Sequence, residues 1–211
     1  MHLLNILIHV GCGVAAMAVG FLILAREKGS ARHRRLGRRF AWLTLGVCAS
    51  AVAGNLLFRF IPVFAILTVL VSYQFLGGWR AVYTKERGPG FLDAALTACA
   101  SAFAIVLAPI VMAAASADGS TAVVYSSLGA LAMVIGYDIC RWLFAAHWHA
   151  ALWRYEHVYK VVASLCGMLS AASGNLIRFG HPWSQLLPSA LGVATIAWLF
   201  WQIWRGRQRL Y

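Results

Sequence analysis

The side chains best equipped for chemistry lie in or beside long apolar runs, and they form two groups. His9, Asn55, Arg59, Asn175 and Arg178 make the first group. An Asn and an Arg spaced four apart (55 and 59) or three apart (175 and 178) share one face of a helix. Each such pair would present an amide beside a guanidinium, whose forked donors suit a carboxylate or phosphate. The chemistry expected is capture of an anionic ligand in a mouth with near-twofold repetition, with His181 beside it. A plainer use of the same residues is arginine snorkelling to lipid phosphates and asparagine bonding between helices.

His33, Asp93, Asp138 and His157 make the second group, with Glu156, His147 and His149 close in sequence. A carboxylate as deep in an apolar run as Asp138 must be protonated or paired. By depth its candidate partners are His157, Arg141 and Arg34. Imidazole with carboxylate suits zinc, iron or manganese, so a divalent metal is one reading and a structural ion-pair network the other. His147-Trp148-His149 lacks the His-x-x-x-His spacing of a helical metal pair. Haem b would need two histidines at one depth, or one with a different ligand, and His9 falls near the outer side and His157 near the inner. The last run contains neither a lysine for retinal nor the histidine pair of a membrane zinc hydrolase, and no nucleophile sits at a recognisable distance from a base. No catalytic residue is expected, and the cofactor question stays open between none, haem and a divalent metal.

These groups need elements to position them. Apolar runs cover about Leu3–Ala25, Phe40–Phe58, Ile61–Tyr83, Phe91–Ser116, Thr121–Ala145, His157–Arg178 and Trp183–Trp204. Each is close to the ~20 residues with which a helix crosses a hydrocarbon core. Of the 18 Lys and Arg, all but Arg59 and Arg178 fall in 26–39, 80–87, 141–160 and 205–209, which are alternate connections and the tail. The positive-inside rule then gives seven spans, amino terminus outside and carboxyl terminus inside. Trp42, Trp79, Trp142, Trp148, Trp153, Trp201 and Trp204 map to the same basic ends, as interfacial tryptophans do.

With 62% hydrophobic and 11% charged residues, the chain reads as a single all-α transmembrane domain over 1–211. The net charge of +12 is then a basic rim facing anionic lipid, with no element left for nucleic-acid readout. The first apolar run is followed, not preceded, by positive charge, so it is expected to stay as a helix and not act as a cleaved leader. The five cysteines sit singly within the runs and suggest neither disulfides nor a zinc knuckle.

Ser50-Ala-Val-Ala-Gly54-Asn55 with Arg59 and Pro62 parallels Ser170-Ala-Ala-Ser-Gly174-Asn175 with Arg178 and Pro182, at an offset of 120 residues. Arg34 and Arg154, and Leu45 and Leu165, extend the parallel. The chain is therefore expected to be a 3+1+3 parallel repeat: copy 1 over about 1–85, a linker helix over 91–116 and copy 2 over 121–211. Parallel repeats occur in carriers, with sites where the copies meet. Ala94, Ala98 and Ala102, with Ala95 and Cys99, put small residues at close-packing spacing, so the linker helix is expected at the packed centre.

His9 with Gly13 and Gly20, then Lys28-Gly29 and His33-Arg34-Arg35-Leu36-Gly37-Arg38, resembles the opening of a bacterial membrane-protein family, domain-of-unknown-function family 2306. Gly78-Trp79-Arg80-Ala81, Asp93, Asp138, His157 and Pro188 extend the resemblance along nearly the whole chain. It implies a multi-pass protein of the bacterial inner membrane and points to His9, His33, Asp138 and His157. It implies no activity, and Lys160 and the 170–175 stretch depart from the pattern. The expected function is binding or transport of a small ligand at the repeat interface. The alternatives are an accessory subunit held to membrane partners or to its own copies, and a haem or metal redox protein.

Overall fold

The computed structural model describes residues 1–118, 121–177 and 179–206. It is all-helical, with seven long helices: α1 (His2–Leu24), α2 (Ala31–Ala53), α3 (Pro62–Thr84), α4 (Phe91–Asp118), α5 (Thr121–Cys140), α6 (Ala146–Leu176) and α7 (Trp183–Trp204). Six of them are long and apolar enough to cross a membrane, and α6 is the exception. At 31 residues α6 has ample length, but Arg154, Glu156, His157 and Lys160 interrupt its apolar character. It packs against α1, α3 and α7, which spares those groups from lipid.

Local chemistry sets the helix ends. Ser30 caps α2 by accepting a hydrogen bond from the His33 N–H at 3.1 Å, so α2 starts nine residues before its apolar run and carries the basic arm on its first turns. Pro62 opens α3 at a position that lacks an intrahelical N–H partner anyway. α2 closes in one π turn, Gly54–Phe58, with the Arg59 N–H on Gly54 O at 3.0 Å. Arg59 itself is extended. The shared helical face expected for Asn55 and Arg59 is thus corrected: the helix ends between them. α6 likewise begins at Ala146 and not near His157, because 146–156 holds alanine, leucine and aromatic residues with no glycine or proline to stop a helix.

Two apolar cores meet at α3. One joins α3 to α4 and α5 through Ile66, Leu70, Leu107, Val111, Val124 and Leu131. The other joins it to α1, α2 and α6 through Ala16, Phe40, Phe75, Leu165 and Met168. In the most apolar stretch of α3, 56% of residues are buried, against 22% for α4. The expectation of a central α4 is therefore overturned. Ala95, Ala98, Cys99 and Ala102 face outward, while Asp93, Thr97, Ala100 and Leu107 turn to the core. The small residues that allow close approach are in the α3–α6 contact, where a Cβ on Gly78 would lie 2.8 Å from Lys160 Cβ and 3.0 Å from the Val161 backbone nitrogen.

Candidate functional site

Around Asp138, four charged side chains from α5, its following turn and α6 are drawn into the bundle. Asp138, Arg141, Glu156 and Lys160 are only 6, 4, 4 and 1% exposed. Asp138 is the hub. Its Oδ1 accepts from Lys160 Nζ at 2.5 Å and from Arg141 Nη1 at 3.2 Å, and its Oδ2 accepts from the Tyr73 hydroxyl at 2.6 Å. With that proton committed to the carboxylate, Thr97 Oγ1, at 2.9 Å, donates to the tyrosine oxygen. Arg141 Nε lies 3.0 Å from Glu156 Oε1 as an ion pair, without the alignment of a hydrogen bond. Glu156 Oε1 also accepts from Tyr137 at 2.8 Å. Two carboxylates balance two cations, which is the condition for keeping such charges in an apolar bundle.

A narrow cleft of about 10 Å³, roughly the room of one water, opens onto this network, lined by Tyr73, Thr97, Asp138, Arg141 and Lys160, with Asp93 at its edge. Asp93 is held by both arms of the Arg80 guanidinium at 2.9 and 2.8 Å and by the Gly90 N–H at 2.8 Å. This bidentate pair fixes the α3–α4 turn. The cleft thus combines saturated carboxylates with an ammonium that has three donors, one of them on Asp138.

Of the four inner residues singled out from sequence, Asp93 and Asp138 share this cleft, while His33 and His157 do not join them. The His157 ring donates from Nδ1 to Gly78 O at 2.9 Å and lines a separate cavity with His33 and Lys28. Arg141 is therefore the expected partner that pairs with Asp138, and His157 is not. The described residues contain no group of three or more His, Cys, Asp or Glu placed to hold a metal ion. The residues sequence reasoning missed are Lys160, Tyr73 and Thr97. A signal for the first existed: Glu156 and Lys160 are four apart, and so share a face once the helix is extended back to Ala146.

Among the described residues of the first group, no hydrogen bond joins one to another. His9 Nδ1 lies 3.0 Å from Ser50 Oγ, and Asn5 donates to Ser50 O at 3.1 Å, pinning α1 to α2. Asn55 turns to its own backbone, donating to Ala51 O at 3.0 Å and accepting from the Ile61 N–H at 3.3 Å across the helix break. Asn175 donates to Ala171 O at 2.9 Å and is exposed. Arg59 is exposed, and Arg178 lies outside the described residues. The two asparagines should therefore differ. Asn55→Ala is expected to cost about 1 kcal/mol, since it removes the half-buried side chain that bridges the helix break. Asn175→Ala should stay within about 0.5 kcal/mol, as exposed substitutions do. Thermal melting of the two variants in mild detergent reads the difference.

No family model, curated protein or solved structure matches this chain.

Proposed function

We propose that this protein is a multi-pass membrane carrier for a small acid-bearing solute, with its site in the cleft between α3, α4, α5 and α6. The observation that carries the reading is Lys160: an ammonium with 1% exposure in the middle of α6, held by Asp138 at the wall of a cleft. Buried charge is costly in a bundle of this kind and is commonly tied to a substrate or ion path. A solute carboxylate entering the cleft takes donors of Lys160 and Arg141 that Asp138 does not occupy, and with three carboxyl groups beside two cations one of the three then holds a proton.

The site also suits the repeat reading. If 1–85 and 121–211 are copies, α3 and α6 belong to different ones, and the cleft lies where carriers built from repeats place their substrates. Ser50 and Ser170, equivalent at the offset of 120, both reach across helices, Ser50 to His9 and Ser170 to Ser189 at 2.9 Å. The charge distribution supports an outside amino terminus and a basic inner face, and the family resemblance supports the bacterial inner membrane.

The test is a melting screen of the purified protein in mild detergent against small mono-, di- and tricarboxylates, followed by uptake of the radiolabelled hit into reconstituted vesicles. One class should raise the melting temperature by several degrees in the native chain and leave Lys160→Met unmoved. A flat response across the panel, with no uptake, rejects the reading.

A further inference from the structure

Arg141 has a carboxylate on either side, and the two are held unequally. Asp138 accepts hydrogen bonds from Lys160, Arg141 and Tyr73, and Asp93 accepts from both arms of Arg80 and from the Gly90 N–H. Glu156, 4% exposed, accepts among the described residues only the Tyr137 hydroxyl, at 2.8 Å on Oε1. Its contact with Arg141 Nε, at 3.0 Å, is an ion pair without hydrogen-bond alignment. Hydrogen bonds to the ionised form keep a carboxylate charged. With the fewest of them, Glu156 is the carboxylate that gives up least by taking a proton.

Charge balance says when that proton is needed. Asp138 and Glu156 offset Arg141 and Lys160, and Asp93 offsets Arg80. A solute carboxylate adds a negative charge, and a cleft with about the room of one water leaves no solvent shell to screen it. Unbalanced charge is costly in such surroundings. The groups around Glu156 offer no other compensation. On α5 they are Tyr137 and Asp138, and Arg141 follows in the next turn. On α3, Tyr73 is bonded to Asp138 and Arg80 to Asp93. Lys85, Glu86 and Arg87 in the turn after α3 are exposed. On α6 itself Lys160 is bonded to Asp138 and His157 to Gly78 O. α7 has no titratable side chain, and α1 turns His9 to Ser50 and Cys12 to Gly46.

We propose that the solute moves together with a proton, and that Glu156 carries it. As a carboxylate draws Arg141 and Lys160 to the cleft, Glu156 takes a proton on Oε2, keeps Tyr137 on Oε1, and releases the proton when the solute leaves. The step is a proton transfer from hydronium to a carboxylate oxygen, leaving water, and nothing is oxidised or reduced. Glu156 does not line the cleft and acts on the solute through Arg141. This inference rests on the carrier reading and adds its coupling ion.

The experiment places the full-length protein in vesicles holding a pH-sensitive dye, with the membrane potential clamped by potassium and valinomycin. Radiolabelled lactate, succinate and citrate are the probes, and protein-free vesicles give the passive background. Each acid taken up should bring in at least one proton per molecule, and an outside more acid by about one pH unit should accumulate it about tenfold. Glu156→Gln copies the protonated form and should lose that accumulation, while exchange of labelled for unlabelled acid, which returns no proton, remains measurable. Equal loss of accumulation and exchange marks Glu156 as structural and overturns its assignment, as does accumulation that survives the change. Uptake without protons in the native chain overturns the coupling and leaves the carrier reading standing. No uptake of any of the three acids removes both. Should Glu156→Gln fail to fold, the proton count on the native chain alone is sufficient to reject the coupling.

Discussion

Asp138→Asn is expected to lower the stability of the folded protein by about 3–5 kcal/mol, the loss typical of removing one partner from a buried ion pair. Lys160→Met should cost less, about 1–3 kcal/mol. The asymmetry follows from the hub. Without Lys160, Asp138 still accepts from Arg141 at 3.2 Å and Tyr73 at 2.6 Å. Without the Asp138 carboxylate, Arg141 keeps Glu156 at 3.0 Å, but Lys160 loses its ion-pair partner in a position 1% exposed. The ammonium is then desolvated beside another cation. Joining the two changes removes both the stranded charge and its cause, so the double variant should melt above Asp138→Asn alone. Melting of the three variants in one detergent checks the order. Equal costs for the single variants, or a double variant worse than their sum, would mean that Asp138 is not the centre of the network.

The helices were legible in the sequence because hydrocarbon demands long apolar runs, and seven such runs correspond to seven helices. Their starts were less so, since an apolar run marks where side chains meet lipid or core, not where hydrogen bonding begins. Ser30 begins α2 well before Phe40, and Ala146 begins α6 well before His157. That second displacement hid the site. Counted along the chain, Arg141 and Lys160 are rim cations; wound onto a helix, they turn inward to Asp138. Depth alone also merged two places into one, as His157 and Asp138 line different cavities. Small residues misled for a related reason. Lipid and core are both apolar, so the spacing of Ala94, Ala98 and Ala102 cannot say which one they face.

The small residues that do matter give the second large effect. Gly78→Ala is expected to cost about 1–3 kcal/mol and Gly78→Val more, as overpacking a tight contact does. An added Cβ meets Lys160 Cβ at 2.8 Å, Val161 Cγ2 at 2.9 Å and the Val161 backbone nitrogen at 3.0 Å. A side-chain tip could rotate away, but a backbone atom cannot, so α3 and α6 must separate. Gly136→Ala in α5 is the control, because nothing lies within 4 Å of its added Cβ. There, replacing glycine in a helix interior should gain up to about 1 kcal/mol. Opposite signs in a melting comparison are the expected result. Separation at Gly78 also moves Lys160, which stands against it, and strains the bond of His157 to the Gly78 carbonyl at 2.9 Å. Gly78→Val should therefore weaken the carboxylate response of the cleft, although it removes no polar atom from it. If Gly78→Ala melts like Gly136→Ala, then α3 and α6 do not approach this closely, and the cleft does not depend on their contact.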